Sequence, residues 1–576
     1  MEWTSIKWIK LRILIISTFF VLFLGLILFR SYQLQIFENA RVKNLARRQY
    51  QTTLPVQFKR GTIYDRNGNA LALDVQVASV AIHPSEIEDK NQIVKELSAI
   101  LKIPPVKISS KIREGRKFEW VARRLAFETG QKIKDLKLKG VSIVPEYRRF
   151  YPNKELAGAV LGSVGYDAKA LAGIELSMDS FLRAGSDEVI AEKDARGRFY
   201  TPVQSQDYYH DIHLTLDANL QYTAEKYLTE TAKQYNPKSG FAIILNPQTG
   251  EVLAMANYPT FNPNVYWEYS MDNWKNHAVV DTYEPGSTFK AILAASALNS
   301  GKVNINDKFF CENGSYVIGK RVIHDHENYG SLSLAEIVKV SSNIGITKVA
   351  LKTGKKVFYD TMFDLGFNQA VNLKLPGEQR GSVAPYQKWK DIDFSNMAFG
   401  QGLTVSGMQM AQAYATIANK GIRMKPYLVH RIVDSSGVTI IENMATVASQ
   451  ALKEDAAIVL KNALKGVVQP GGTGKLARLD EYTVAGKTGT AQKVNVQTKV
   501  YDEHDYVSSF IGFVPADNPE FMIYVVYDSP HPLHTGGAVA APTFRKIAQD
   551  ALAYAGVPPE HIKLALGREG DAEKKR

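Results

Sequence analysis

Hydrophobic and polar positions alternate in three different ways along this chain. From Ile13 to Phe29 there is no charged residue, and Leu, Ile and Phe dominate. Seventeen helical residues span about 25 Å, a little less than a ~30 Å hydrocarbon core. Leu11 and Tyr32 extend the span if Arg12 and Arg30 snorkel to the two interfaces. Arg30-Ser31-Tyr32-Gln33-Leu34 offers no small-x-small cleavage site. The pattern therefore predicts an uncleaved transmembrane helix over residues 13–29, preceded by a tail of residues 1–12.

Between residues 30 and 211, short strand-like pieces alternate with polar helical stretches. Glu38 to Tyr50 reads as a helix leaving the membrane, and Arg60-Gly61-Thr62-Ile63-Tyr64-Asp65-Arg66-Asn67-Gly68 as a strand running into an Asn-Gly turn. No nucleophile is paired with a base here, so the segment reads as a non-catalytic domain. A helix from Ala218 to Tyr235 leads into a second domain, residues 212–556. That domain opens with a hairpin, Phe241–Leu245 and Glu251–Ala256 around Asn246-Pro247-Gln248-Thr249-Gly250. A helix-rich block follows, from Ser287 to Val467, and then three strand candidates, Lys487–Val496, Tyr506–Val514 and Phe521–Tyr527. Strands at both ends around a central helical block predict an α+β fold, with one antiparallel sheet closing between the termini. Residues 557–576 end in Glu573-Lys574-Lys575-Arg576 and read as a solvated tail.

Composition adds exclusions. An apolar fraction of 45% and a charged fraction of 22% belong to folded protein. The net charge of +12 is spread without a finger, an RNP or a helix-turn-helix pattern, so nucleic acid is not an expected partner, and an anionic envelope surface is. Cys311 is the only cysteine, which removes any internal disulfide. Cys311, His324, Asp325, His326 and Glu327 share one loop-like region, but their spacing fits no compact zinc pattern. The region reads as a polar loop near a cleft, and no metal or cofactor is expected.

Three short motifs carry candidate chemistry. In Glu284-Pro285-Gly286-Ser287-Thr288-Phe289-Lys290, Pro-Gly breaks the chain before an Ala/Leu-rich helix closed at Ser300-Gly301. Ser287 then sits in the first turn with Lys290 one turn on, on the same face. A serine hydroxyl needs a neighbouring base, and a lysine serves only if burial or positive potential lowers its pKa. Ser287 is the only serine with Lys three residues on. Ser341-Ser342-Asn343 lies inside the predicted helical run Leu334–Leu351, where Ser341 and Asn343 could orient an amide and relay a proton. Gly486-Lys487-Thr488-Gly489-Thr490 opens a strand and offers a cation for a carboxylate and an edge for an extended peptide. A second copy, Lys352-Thr353-Gly354, ends a helix, where Lys and Gly are expected anyway. Each motif alone is more often a cap or a solvated surface; in this order, on helix, helix and strand, they are specific.

With these residues the chain resembles the class B penicillin-binding proteins, the monofunctional peptidoglycan D,D-transpeptidases, over nearly everything from the anchor to Gly556. The likeness extends to Arg60–Gly68, to Gly471-Gly472-Thr473-Gly474 and to Ser509-Phe510-Ile511-Gly512-Phe513. It implies a penicillin-binding/β-lactamase-like domain on a dimerisation or pedestal-like domain. It implies Ser287 as the acylated nucleophile, Lys290 as its base, and Ser341 and Asn343 in relay and positioning. Lys487, Thr488, Gly489 and Thr490 would hold the substrate, with the backbone N–H groups of Ser287 and Thr490 as oxyanion hole. The substrate implied is the D-Ala-D-Ala stem of peptidoglycan outside the cytoplasmic membrane, so residues 1–12 would be cytoplasmic and the catalytic half external. β-Lactams would be inhibitors, and a membrane glycosyltransferase and divisome proteins would be partners. The middle motif is Ser-Ser-Asn and not Ser-Asp-Asn, which fits penicillin-binding proteins better than class A β-lactamases, and one feature departs from the family pattern: Ser406-Gly407 stands where Thr-Pro is usual. Tyr283-Glu284-Pro285-Gly286 is similar to the septal, FtsI-like branch. A hydrolase on the same scaffold, or a silent penicillin-binding sensor, would share these motifs.

Overall fold

A computed structural model describes residues 2–37, 51–55, 59–113, 116, 118–183, 188–192, 209–319, 321–495, 498 and 500–560. The expected helix Glu38–Tyr50 and most of the expected C-terminal tail lie outside the described residues. Two compact units are present, one formed by residues 1–58 and 185–208, the other by residues 59–184 and 209–576.

In the first unit, helix α1 (Glu2–Tyr32) contains the expected span and extends it at both ends. Within Ile6–Ile36 the most apolar stretch has a mean hydropathy of 2.6 and is not buried among the described residues, which suits a lipid-facing helix. Gln51–Pro55 and Glu188–Glu192 pair antiparallel in the same unit.

The second unit holds both halves of the remaining chain. Strands β1 (Ile63–Tyr64), β2 (Ala70–Ile82), β3 (Glu119–Ala126), β4 (Val141–Phe150) and β5 (His210–Leu214) come from the first half. β2 pairs with β1, β3 and β4, and β1 runs parallel to β5. Two strands of the second half, Val429–Asp434 and Thr439–Glu442, continue this sheet beyond β5 to make seven strands. A small apolar core of Val80, Ile82, Ile93, Leu97 and Ile133 stabilises the outer end.

Arg60–Gly68 is explained by what it touches. Arg60 and Arg149 clasp the fully buried Glu175, with Arg149 Nε 2.6 Å from Oε1, while Arg149 also reaches Asp74 at 3.2 Å. Buried charges this deep are tolerated only when paired and hydrogen-bonded; the two guanidinium groups hold the Glu175 carboxyl below its ordinary range despite burial. A Cβ on Gly61 would stand 1.9 Å from the His210 carbonyl oxygen, so only glycine lets the strand approach β5. Asp65 Oδ1 accepts from the N–H groups of Asn67 and Asn69, and its Oδ2 accepts from Ala218 N at 3.3 Å. The motif is thus a clamp between the halves.

Helix α2 (Ala218–Tyr235) has the bounds expected from sequence. Asp217 caps it by accepting from Asn219 and Leu220 N–H, and Asn236 ends it in the left-handed region. The main sheet of the second half comprises β6 (Ser239–Leu245), β7 (Val252–Tyr258), β8 (Ala485–Val494), β9 (Tyr501–Val514) and β10 (Phe521–Asp528), all antiparallel in the order β8-β9-β10-β6-β7. Its strands alternate between two cores. Phe241, Ile243, Ile511 and Tyr524 face the central helices. Ala242, Ile244, Phe510 and Val525 face α2 and the C-terminal helix Gly536–Tyr554. A sheet covered on both faces needs apolar residues at successive positions, hence the near-continuous hydrophobic runs in β6 and β10. The predicted α+β architecture, with the sheet closing between N- and C-terminal strands, is what the structure has.

Candidate active site

Strand β8 lies at the sheet's edge, and the Pro285–Phe289 turn is packed against it. Gly286 has φ +57, and a Cβ there would stand 2.8 Å from Ala491 Cβ of β8. Gly489 makes the reciprocal approach: an added Cβ would be 3.0 Å from Thr288 Cγ2 and 2.3 Å from Ser509 Oγ. The two glycines thus set how closely turn and strand meet. Residues 286–289 form a single 3-10 turn that feeds the α-helix Lys290–Asn299, so Ser287 precedes that helix proper. The Ser287 N–H belongs to a first turn and has no intrahelical acceptor. Phe289 anchors the turn, its ring 5.1 Å from that of Phe367 in an edge-on pair. Ser287 remains half-exposed, whereas Lys290 is fully buried.

The middle motif corrects the sequence reading. No continuous helix runs through it: one helix ends at Val340, Ser341 takes left-handed geometry at φ +66, and a new helix starts at Asn343. The break turns both the carbonyl and the hydroxyl of Ser341 towards the buried lysine. Lys290 Nζ donates to Ser341 O and to Asn343 Oδ1 (2.7 Å) and lies 3.1 Å from Ser341 Oγ. Asp325 holds the new helix start. Its Oδ1 accepts from Asn343 N and from Ile344 N (3.1 Å), and its Oδ2 from Ser342 Oγ (2.6 Å). From sequence Asp325 reads only as part of a polar loop. The need for a cap appears only once the helix is known to restart at Asn343.

Lys487 completes the cluster from the strand side. It is fully buried, with Nζ 2.9 Å from Ser341 Oγ and 3.2 Å from Thr488 O. Two amines therefore flank one hydroxyl. Burial pushes Lys290 down to about 7 against a smaller opposing pull from Asp325. Lys487 lies well below the ordinary lysine value through burial and the neighbouring Lys290 charge. Two ammonium ions cannot share so small a dry space, so the pair holds fewer than two protons near neutrality. Expected from sequence as a cation for a carboxylate, Lys487 is enclosed, and burial and the Lys290 charge disfavour its charged form.

The rest of the strand is held by neighbours whose role had no signal of its own. Thr473, from Gly471-Gly472-Thr473-Gly474, bonds Thr488 hydroxyl to hydroxyl at 2.7 Å. Thr490 Oγ1 accepts from Gly536 N at 3.0 Å, tying β8 to the start of the last helix. Glu284 accepts from Gly402 N at 2.8 Å and from Tyr501 OH at 3.1 Å, joining the Ser287 turn to the loop that carries the unusual Ser406-Gly407. The other Lys-Thr-Gly copy lies apart from this cluster: Lys352 is half-exposed and pairs with Asp307 at 2.8 Å. Ser287, Lys290, Ser341, Asn343, Lys487, Thr488, Gly489 and Thr490 thus fall on one stretch of turn, helix junction and strand. The arrangement offers a partly exposed hydroxyl, an amine of lowered pKa, a second hydroxyl between two amines, and a strand edge.

Residues 240–549 match the penicillin-binding protein transpeptidase domain, and residues 55–214 the penicillin-binding protein dimerisation domain. The peptidoglycan D,D-transpeptidase FtsI of Escherichia coli is 32% identical over 517 residues, covering 88% of this chain and 85% of that protein. Stage V sporulation protein D of Bacillus subtilis is also 32% identical, over 95% of this chain and 86% of its own length. Among solved structures, a peptidoglycan synthetase from Bifidobacterium adolescentis aligns with a TM-score of 0.72 at 26% identity, over 88% of this chain and 98% of its own. Penicillin-binding protein 3 of Mycobacterium tuberculosis in complex with aztreonam aligns with a TM-score of 0.69 at 27% identity, over the same shares.

Proposed function

The chain belongs to the class B penicillin-binding proteins and is a peptidoglycan D,D-transpeptidase of that family, and on that premise we propose that it cross-links stem peptides through an acyl-enzyme on Ser287. Lys290 accepts the Ser287 proton as Oγ attacks the carbonyl of the D-Ala-D-Ala bond. The Ser287 and Thr490 N–H groups hold the oxyanion. The proton then passes by way of Ser341 Oγ to the departing D-Ala nitrogen, with Asn343 orienting the donor amide. Thr488, Gly489 and Thr490 line the strand edge for the stem peptide. The substrate carboxylate draws a proton onto Lys487, which becomes a cation when the ligand's charge compensates it. An acceptor amine finally displaces Ser287 and forms the cross-link. The observation that carries this reading is the convergence of Lys290 and Lys487 on Ser341 Oγ, behind an accessible serine.

In this reading α1 is the single membrane anchor, residues 1–12 are cytoplasmic, and the remainder acts outside the membrane. Residues 30–211 serve as the non-catalytic pedestal, residues 212–556 as the transpeptidase domain, and residues 557–576 as the tail. β-Lactams acylate the same serine. The likeness to FtsI and the Tyr283-Glu284-Pro285-Gly286 segment favour septal synthesis beside a glycosyltransferase and divisome proteins. The test is mass spectrometry after labelled penicillin. One adduct on the Ser287 peptide, lost in Ser287→Ala without loss of fold, is expected. An adduct elsewhere refutes the assignment, and turnover too fast for any adduct to accumulate favours a hydrolase.

A further inference from the structure

A second cavity, of about 560 Å³, lies along the seam between the two halves. The first half contributes Ser177, Met178 and Phe181, and the second half contributes the loop 369–374, the segment 423–429 and residues 441–448. None of the Ser287 cluster lines it. The volume falls in the range of small-molecule sites, roughly 300–1,000 Å³.

Its charge is one-sided. Lys374, Arg423 and Lys425 line it, and among the described residues no acidic one does. None of these three forms an ion pair with a described carboxylate. Arg423 feels Asp364 electrostatically, but no contact of ion-pair length joins them. The Arg423 guanidinium lies against Gly366, where a Cβ would stand 2.7 Å from Nη1; that glycine, at φ +96, keeps the space open. Arg423 Nε and Ser177 Oγ are both buried and have no hydrogen-bond partner among the described residues. A buried donor left without an acceptor is costly, and more so when it belongs to a charged group. Two such groups, one from each half, on the wall of one cationic cavity, call for an acceptor that the protein does not itself supply.

We propose that this seam cavity binds an oxyanion-bearing ligand of sugar size, its carboxylate or phosphate accepting from Arg423 and Ser177 while Lys374 and Lys425 close over it. Met178, Phe181, Leu428 and Ile441 offer the apolar wall for the ligand's body. Because the lining comes from both halves, the occupant ties the pedestal side of the seam to the catalytic side. The cavity also has a packed connection to the nucleophile turn. Gln409 donates to Gln369 O (3.0 Å) and Arg380 O (2.7 Å) beside the cavity, and Phe367 of the same loop supports Phe289.

The site stands apart from the acylation reading, which enters only in choosing cell-wall sugars as probes. Full-length protein in detergent is titrated calorimetrically with N-acetylmuramic acid, with inorganic pyrophosphate and with neutral N-acetylglucosamine, before and after penicillin treatment. Saturable binding of at least one anionic probe, unchanged by penicillin and weakened about tenfold in Arg423→Gln, is expected. The first two probes separate a sugar carboxylate from a phosphate source. Should Arg423→Gln fail to fold, the exposed pair Lys374→Gln/Lys425→Gln is used, with a loss of about threefold or more expected. Absence of binding by both anions, equal binding of the neutral sugar, competition by penicillin, or indifference to these substitutions overturns the proposal. Penicillin acylation is read separately, so its failure would count against Ser287 and not against the cavity.

Discussion

Replacing Lys290 by methionine removes the amine while keeping a flexible apolar stem in a fully buried position. The magnitude follows from the lowered pKa. Burial shifts Lys290 from 10.5 to about 7, which at 1.36 kcal/mol per unit disfavours the charged form by about 5 kcal/mol, an upper bound because the paired Lys487 shares the titration. At pH 7 roughly half of the amine is then free base, against about 3 in 10,000 for an unperturbed lysine. A base present in that proportion, acting on Ser287, makes the acylation rate climb about tenfold per pH unit up to ~7 and level off near pH 8. Stability carries the same signature. Between pH 7 and 10.5 the unfolded chain binds more protons than the native one, so stability rises with pH across that window. Lys290→Met should flatten that slope, hold or raise the melting temperature at pH 7, and slow acylation by about 100- to 10,000-fold. Lys290→Arg, which cannot release its proton, should be as inactive and less stable. Stopped-flow acylation by a fluorescent penicillin, from pH 5.5 to 8.5, is the assay. A flat profile, or a Lys290→Met protein acylated within tenfold of the parent rate, would refute Lys290 as the base.

Three other outcomes test separate parts of the structure. Lys487→Ala should cripple acylation by carboxylate-bearing β-lactams, while Lys352→Ala, which removes a half-exposed pair with Asp307, should leave the rate unchanged and cost at most about 0.5 kcal/mol of stability in denaturant melts. Glu225, whose carboxyl is enclosed where it accepts from Ala157 N although part of the side chain reaches the surface, is pushed up to about 7 by burial. The native state then binds more protons than the unfolded chain between pH 4.5 and 7 and loses stability as pH rises through that window; Glu225→Gln should abolish the loss and stabilise at pH 8 by about 1–3 kcal/mol in chemical denaturation. Glu175→Gln leaves Arg60 and Arg149 without their shared carboxylate and should cost about 3–5 kcal/mol, read as a lower denaturation midpoint at unchanged penicillin stoichiometry.

The catalytic-half sheet was legible because its strands are covered on both faces and so carry dense apolar runs; helix α2 was legible because Asp217 and Asn236 are ordinary end signals. Strand ends moved by a few residues, as at β9, which begins at Tyr501 and not Tyr506. Its first residues are largely polar, and the strand is carried back to Tyr501 by that residue's pairing with Val494 of β8, which local pattern does not encode. The break at Ser341 was missed for a related reason. Leu334–Leu351 has apolar spacing compatible with one helix, and the left-handed Ser341 is stabilised by Asp325 and Lys290, both distant in sequence. The spacing of the motif residues could be read, but not that Lys487 would be fully enclosed. Nor could the continuation of the first half's sheet by Val429–Asp434, since a short strand says nothing about which edge it joins.

That last pairing bears on how such chains can be recombined. A crossover near residue 216 would look harmless on a linear map, since it falls between the two matched segments. In three dimensions it separates β5 from Val429–Asp434, and a donor sequence must bring residues whose side chains fit against Ile212 and His213 across that ladder. It must also bring a partner for Asp65 at the start of α2. Chimeras exchanged at the apparent boundary should therefore express poorly unless residues 429–442 travel with the N-terminal half, which makes the seam a filter on which mosaic genes yield working enzyme.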